Sequence, residues 1–193
     1  VENIWLKNYP AGVPATIDVN AYESIRELFE ESCAKYATRP AFTCMGKSIT
    51  FAELEALAAA FGAWLQGQGC KKGARVALMM PNILQYPVCL FGALRAGCTV
   101  VNVNPLYTAR ELEHQLADSG AEAIIVLENF ARTLQQVMEN TQVKHVIVCS
   151  MGELLGSPKG AIVDFVVRNV KKLVPEFRLP VGEGRSAVRF SKA

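Results

Sequence analysis

No two cysteines stand at CxxC spacing, and only two histidines, His114 and His145, occur among the 193 residues. The six cysteines, at 33, 44, 70, 89, 98 and 149, therefore form no Cys/His cluster with metal-ligand spacing. Cys44, Cys89, Cys98 and Cys149 sit inside apolar runs, where a thiol behaves as a small hydrophobe, and a reduced compartment is the simplest reading. Phosphate-binding glycine patterns are missing too. Neither GxGxxG nor GxxxxGK[ST] occurs, and Gly67-Gln-Gly69 precedes a strand instead of following one. An excess of one charge sign is lacking: the net charge is +2 with signs mixed, which argues against a dedicated nucleic-acid surface while leaving a local basic patch open. The N-terminus has neither the basic nor the apolar region of a signal peptide. Residues 76–103 are apolar overall, but Pro81-Asn82, Arg95 and Gly97 interrupt them, so they do not read as a membrane span.

What is present is a regular alternation of short apolar runs and helical periods. Arg75-Val-Ala-Leu-Met-Met80, Cys98-Thr-Val-Val-Asn-Val103, Ala123-Ile-Ile-Val-Leu127 and His145-Val-Ile-Val-Cys149 read as strands that are apolar on both faces. Between them lie predicted helices over 84–96, over 108–119 and after Asn129, the last carrying Phe130, Leu134, Val137 and Met138. The expectation is an α/β fold whose parallel β-α-β-α-β-α-β core runs from 75 to 149. Before it come a helix over 23–36, with Asn20 as a cap and Ile25, Leu28, Phe29 and Tyr36 on one face, then a hairpin turning at Gly46-Lys47. A second helix follows, carrying Leu54, Leu57, Ala58, Phe61 and Leu65 on one stripe. Capping boxes are read at Thr50/Glu53, Asn82/Gln85 and Thr108/Glu111. Pro87 is expected to delay the start of its helix or to bend the first turn. The organisation expected is an extended lead-in over 1–21, an α/β core over 22–150, and over 151–193 a loop, an apolar segment and coil. Both ends read as cuts in a longer protein.

Candidate chemistry is sparse. His114 lies between charged neighbours on a helix, and His145 opens a strand after Lys144; no Ser/His/Asp order points at either. Glu111 and Glu113 fall on different helical faces, and Glu111 has a capping role. Gly92 reads as a close-packing position and Gly97 as a helix stop. The segment 161–174 has two faces on a helical wheel: Val163, Val166, Val167, Val170 and Val174 on one, Asp164, Arg168, Lys171 and Lys172 on the other, with Phe165 misplaced among them. Such a helix fits an anionic membrane surface, or it packs on a further part of the protein.

A longer pattern carries more. Asn102-Val-Asn-Pro-Leu-Tyr-Thr-Ala-Arg-Glu-Leu-Glu-His-Gln-Leu-Ala-Asp-Ser-Gly-Ala121, with Arg75-Val-Ala-Leu-Met-Met-Pro-Asn-Ile-Leu-Gln-Tyr-Pro-Val88 and Leu90-Phe-Gly-Ala-Leu-Arg-Ala-Gly97, closely resembles the adenylate-forming (AMP-binding) superfamily. Within it the closest likeness is to the bacterial long-chain-fatty-acid–CoA ligases, and it runs over essentially the whole chain. The resemblance implies the N-terminal part of the large domain of such an enzyme. It implies a reaction in which a fatty acid and ATP give an acyl-adenylate and pyrophosphate, after which the acyl group passes to the thiol of CoA. Mg²⁺ would neutralise phosphate charge in that reaction. The family's Thr/Ser/Gly-rich phosphate loop and its catalytic lysine would fall beyond Ala193. The resemblance therefore assigns no catalytic, cofactor-binding or metal-binding residue to this chain. It predicts a chain inactive by itself that binds neither ATP, CoA nor Mg²⁺ specifically. Self-association into a homodimer, peripheral membrane contact through 161–174 and a cytoplasmic location on the inner face of the membrane complete the expectations. The alternative reading is a non-catalytic module that binds a lipid surface or another protein; a purely structural oligomerisation domain is a third.

Overall fold

The computed structural model describes residues 3–182 and 184–193. The lead-in contains a 3-10 turn over Ile4–Asn8 and is followed by helix α1 (Ile25–Lys35), strands β1 (Pro40–Cys44) and β2 (Lys47–Thr50), and helix α2 (Phe51–Gly67). Then come β3 (Arg75–Met79), α3 (Gln85–Arg95), β4 (Thr99–Asn102), α4 (Ala109–Ser119) and β5 (Ala123–Leu127). They are followed by α5 (Ala131–Val137), β6 (His145–Cys149), α6 (Lys159–Phe165) and β7 (Ser186–Arg189). β1 and β2 form an antiparallel hairpin. The other five strands form one parallel sheet in the order β4-β3-β5-β6-β7.

Alternation along the strands divides the core in two, as successive side chains in a strand point to opposite faces. Val76 and Leu78, Ile125 and Leu127, and Ile147 and Cys149 join the apolar layer that receives α2 and α3. Ala77 and Met79, Ile124 and Val126, and Val146 and Val148 join the layer that receives α4 and α5. The helix after β3 thus covers one face, and the helices after β4 and β5 cover the other. In open parallel sheets, a crevice at the carboxyl ends of the strands lies where such connections diverge.

Local chemistry explains most element ends. Thr50 and Glu53 form a reciprocal capping box at α2, and Thr108 and Glu111 form one at α4. Gly120 ends α4 in the left-handed conformation at φ 61°, where a side chain would be strained. The hairpin turns at Met45 (φ 50°) and Gly46 (φ 72°), the paired positive φ values of a two-residue turn that matches strand twist, so Lys47 belongs to β2 and not to the turn.

Several expectations are corrected. Ser24, not Asn20, caps α1, its side chain accepting from the Glu27 N–H. On that helix Phe29 and Cys33 are buried while Ile25 and Leu28 are exposed, because only part of the apolar face meets α2 and α3. There is no box at Asn82: α3 begins at Gln85 with no side-chain cap, and Gln85 turns inward to donate from Nε2 to the Ser150 carbonyl at 2.8 Å. Pro87 is then the third helical residue, within the first turn, where the missing N–H has no intrahelical partner to lose. Asn129 caps nothing; its Nδ2 donates to the Leu173 carbonyl, and a 3-10 turn over Glu128–Phe130 leads into α5. The stretch after 175, expected as coil, supplies β7, which pairs with β6 and extends the sheet to five strands.

α2 and α3 approach through two glycines. A Cβ at Gly92 would lie 2.8 Å from the Ala58 carbonyl oxygen and from Phe61 Cδ1, and one at Gly62 would lie 2.8 Å from the Gly92 carbonyl oxygen. Backbone carbonyls cannot swing away as a side-chain tip can. Gly92→Ala should therefore destabilise the fold by about 1–3 kcal/mol despite its better helix propensity. Gly67→Ala, at a position with open space around it, should be neutral or slightly stabilising. Urea melts of the two variants check the contrast; equal midpoints would show that the helices can move apart without cost.

Candidate functional site

The two histidines stand apart from each other. His114 is on α4 beside Arg110 and Glu113 at an open surface. His145 begins β6, its Nδ1 2.9 Å from Ser186 Oγ. Burial, then the Lys144 charge, lower its pKa, while Glu122 opposes them. Glu111 stays in its cap, where hydrogen bonds from the Thr108 backbone and side chain hold its carboxyl below the usual range. The cysteines are no better placed for nucleophilic work: burial pushes Cys89 and Cys149 well up and Cys98 to about 11. Among the described residues no group of three or more His, Cys, Asp or Glu gathers as metal ligands.

Chemistry concentrates instead at the carboxyl edge of the sheet, one strand length away from His145. Glu128 follows β5 directly and is 1% exposed, a carboxylate taken almost wholly out of water. Arg168 Nε donates to its Oε1 at 2.8 Å, and Arg168 Nη2 donates to its Oε2 at 3.0 Å. Arg189, the last residue of β7, donates from Nη1 to Oε2 at 2.8 Å. A buried carboxylate is tolerated only when paired and hydrogen-bonded, and the two-pronged Arg168 contact is the strong form of such a pair. The hydrogen bond to Glu128 in turn raises the Arg168 pKa.

The same edge holds a second polar network. Ser150, just after β6, donates from Oγ to Asp164 Oδ2 at 2.7 Å, and the Gly152 N–H donates to Asp164 Oδ1 at 2.7 Å. Glu153 receives the N–H of Ser150 and that of Ser191, tying the loop after β6 to the end of β7. Gly152 and Gly160 meet backbone to backbone, leaving no room for a Cβ on either. Beside Glu128 opens a cavity of about 870 Å³ lined by Glu128, Arg132, Gln135, Arg168, Arg178 and Arg189, with residues 174–177 along one wall. Glu128, Arg132, Arg178 and Arg189 were not singled out from sequence; the available signal was the position of Glu128 at the carboxyl end of a parallel strand.

The segment 161–174 is helical in two registers. α6 ends at Phe165, and a π-helical turn covers Val166–Val170, with the Lys171 N–H bonded to the Val166 carbonyl; Lys172, at φ 52°, ends it. The wider turn rotates the wheel. Val163, Val166 and Val167 are half-buried, whereas Ile162, Phe165, Val170 and Leu173 are exposed, Phe165 at 60%. Arg168, expected on the free basic face, reaches Glu128 and approaches Asp164. Among the described residues no helix is long and apolar enough to cross a membrane.

Comparison with known proteins gives this arrangement its family. The family model for AMP-binding enzymes matches residues 29–176. The long-chain-fatty-acid–CoA ligase of Salmonella typhimurium is 59% identical over 181 residues, covering 93% of this chain and 32% of that protein. The ligase of the same name from Escherichia coli is 57% identical over the same shares. A solved fatty acyl CoA synthetase from Mycobacterium tuberculosis superposes with a TM-score of 0.61 at 25% identity, over 64% of this chain and 26% of that one. The chain thus spans about a third of the length of the curated relatives it matches, and it belongs to the AMP-binding enzyme family.

Proposed function

We propose that this chain forms the N-terminal part of an ATP-dependent ligase that converts a long-chain fatty acid to its acyl-adenylate and then to its CoA thioester. The observation that carries the reading is the 59% identity to a long-chain-fatty-acid–CoA ligase across 93% of the chain. In this reading the chain is scaffold and wall: its sheet fixes the edge from which polar side chains project, and groups from the rest of the enzyme carry out adenylation. Any Mg²⁺ that assists would be held outside these residues, whose deepest carboxylate is taken up by two arginines. The enzyme works in the cytoplasm, and the chain self-associates through apolar side chains left exposed on the lead-in and α1, including Ile4, Trp5, Ile17, Ile25 and Leu28.

Peripheral membrane contact belongs to the same reading, with its residues revised. Ile162, Phe165 and Leu173 supply the exposed apolar side chains, and Lys171 and Lys172 supply the cations. Arg168 is left out because it holds Glu128.

Three outcomes are expected. The purified chain should show no fatty-acid-dependent ATP–pyrophosphate exchange, while a complete ligase carrying it should; exchange by the chain alone would end the scaffold reading. Sedimentation velocity should show concentration-dependent association, and a monodisperse monomer at high concentration would count against it. Finally, the complete ligase should co-sediment with anionic vesicles in a salt-sensitive manner. Each lysine near such a surface contributes about 1 kcal/mol, so Lys171→Gln with Lys172→Gln should weaken binding by roughly 30-fold. Unchanged sedimentation would remove the membrane role from this segment.

A further inference from the structure

We propose that Glu128 and Asp164 are positioning residues for the membrane contact: they hold the segment over 159–173 with its polar side inward, so that its apolar side chains face an anionic lipid surface. The segment is the reverse of a helix that lies against a protein body and shows its polar face to water. Asp164 accepts from Ser150 Oγ and from the Gly152 N–H, both at 2.7 Å, and its side chain is only 17% exposed. Arg168 reaches inward to Glu128 through two hydrogen bonds. Asn129 Nδ2 donates to the Leu173 carbonyl at 3.1 Å, and Lys159 Nζ donates to the Met45 carbonyl. Ile162, Phe165, Val170 and Leu173 meanwhile stand in water at 56% to 61% exposure.

Rolling the segment inward would bury those four side chains, which is favourable by itself. Two features oppose the roll. Glu128 is almost wholly out of water, and withdrawing Arg168 would leave it with Arg189 alone, a poorly compensated buried charge. Gly160 lies backbone to backbone on Gly152, with no room for a Cβ on either, so the start of the segment cannot slide deeper. The π turn over Val166–Val170 sets the rotation. At a constant α-helical turn Val170 would share the face of Val163, Val166 and Val167, which are half-buried; instead it is turned to water and Arg168 to the body. Lys172 then ends the turn at φ 52°, a conformation that costs a lysine free energy and persists only where surrounding contacts hold it. Charge selects the occupant. Lys171 and Lys172 are exposed beside the apolar side chains, and the single carboxylate between residues 159 and 175, Asp164, is taken up on the inner side. An apolar row flanked by lysines suits anionic headgroups above acyl chains. The choice of lipid rests on the membrane contact proposed for the ligase; the inward clamp does not.

The test uses a complete ligase carrying this chain and has two arms. In the first, without lipid, Phe165→Cys supplies a thiol whose labelling by a hydrophilic maleimide is followed by mass spectrometry of its peptide. In the second, with Phe165 intact, the ligase is sedimented with phosphatidylglycerol-containing vesicles. The introduced thiol should react rapidly. Glu128→Gln should slow its labelling and weaken vesicle binding by about tenfold each, the weight of one large apolar side chain taken out of water. The sign is diagnostic: Glu128→Gln removes a negative charge, so attraction between charges alone predicts tighter vesicle binding, and the clamp predicts weaker. Arg168→Lys keeps the charge and loses the two-pronged contact, so it should act in the same direction. It carries the test if Glu128→Gln does not melt cooperatively. Three results would overturn the proposal: a thiol at 165 that is not labelled, because another part of the ligase covers it; labelling indifferent to both clamp variants in cooperatively melting proteins; or tighter vesicle binding by Glu128→Gln. Lipid binding with labelling indifferent to the clamp would sink this proposal and leave the membrane reading standing. Clamp-dependent labelling without any sedimentation of the unsubstituted ligase would sink the membrane reading, and the role of the clamp in lipid contact with it.

Discussion

Everything in this molecule depends on hiding both faces of one strand. β5 runs Ala123-Ile-Ile-Val-Leu127 with all five residues buried, in the middle of the parallel sheet between β3 and β6. Parallel strands joined by helices can be buried in this way only if helices cover both faces. α2 and α3 cover one and α4 and α5 the other, and the close approach of Gly62 and Gly92 lets the first pair lie deep enough to do so. Once the faces are covered, the sheet meets its surroundings at its edges and strand ends. The residue that follows β5 is therefore forced either into the interior or to the mouth of a crevice.

Glu128 occupies both places, and this explains the polar character of the carboxyl edge. Removing a carboxylate from water costs several kcal/mol even after relaxation, so it persists only with partners that leave neither oxygen bare. Arg168 and Arg189 meet that demand, and doing so fixes the end of β7 and the π-helical turn relative to β5. The neighbouring Ser150–Asp164 and Glu153–Ser191 contacts fix the loop after β6 in the same way. The family to which the chain belongs places its known chemistry in enzymes about three times this length. Within this chain, charged and oriented side chains gather at this edge.

The sequence was most legible where the controlling contacts are local. The boxes at Thr50/Glu53 and Thr108/Glu111 need only four consecutive residues, and both formed. Asn82/Gln85 has the same spelling and did not form a box, because the Gln85 side chain finds the Ser150 carbonyl 65 residues away. β7 was missed because Ser-Ala-Val-Arg is short and half-polar; it becomes a strand by pairing with β6 and not by its own pattern. The 161–174 wheel assumed a constant α-helical turn, and the π turn at Val166–Val170 rotated Arg168 toward Glu128.

By itself the sequence determined the parallel α/β core, its first four strands and two of its helix starts, since apolar periodicity and capping act over a few residues. The resemblance over nearly the whole chain pointed to the family as well. Only the tertiary structure decided which strand ends share an edge, that β7 joins the row beside β6, and that arginines at 132, 168, 178 and 189 line one cavity. The reason is physical. Charge clusters of this kind are assembled by strand order and by burial of a single carboxylate, and neither leaves a periodic mark in the chain.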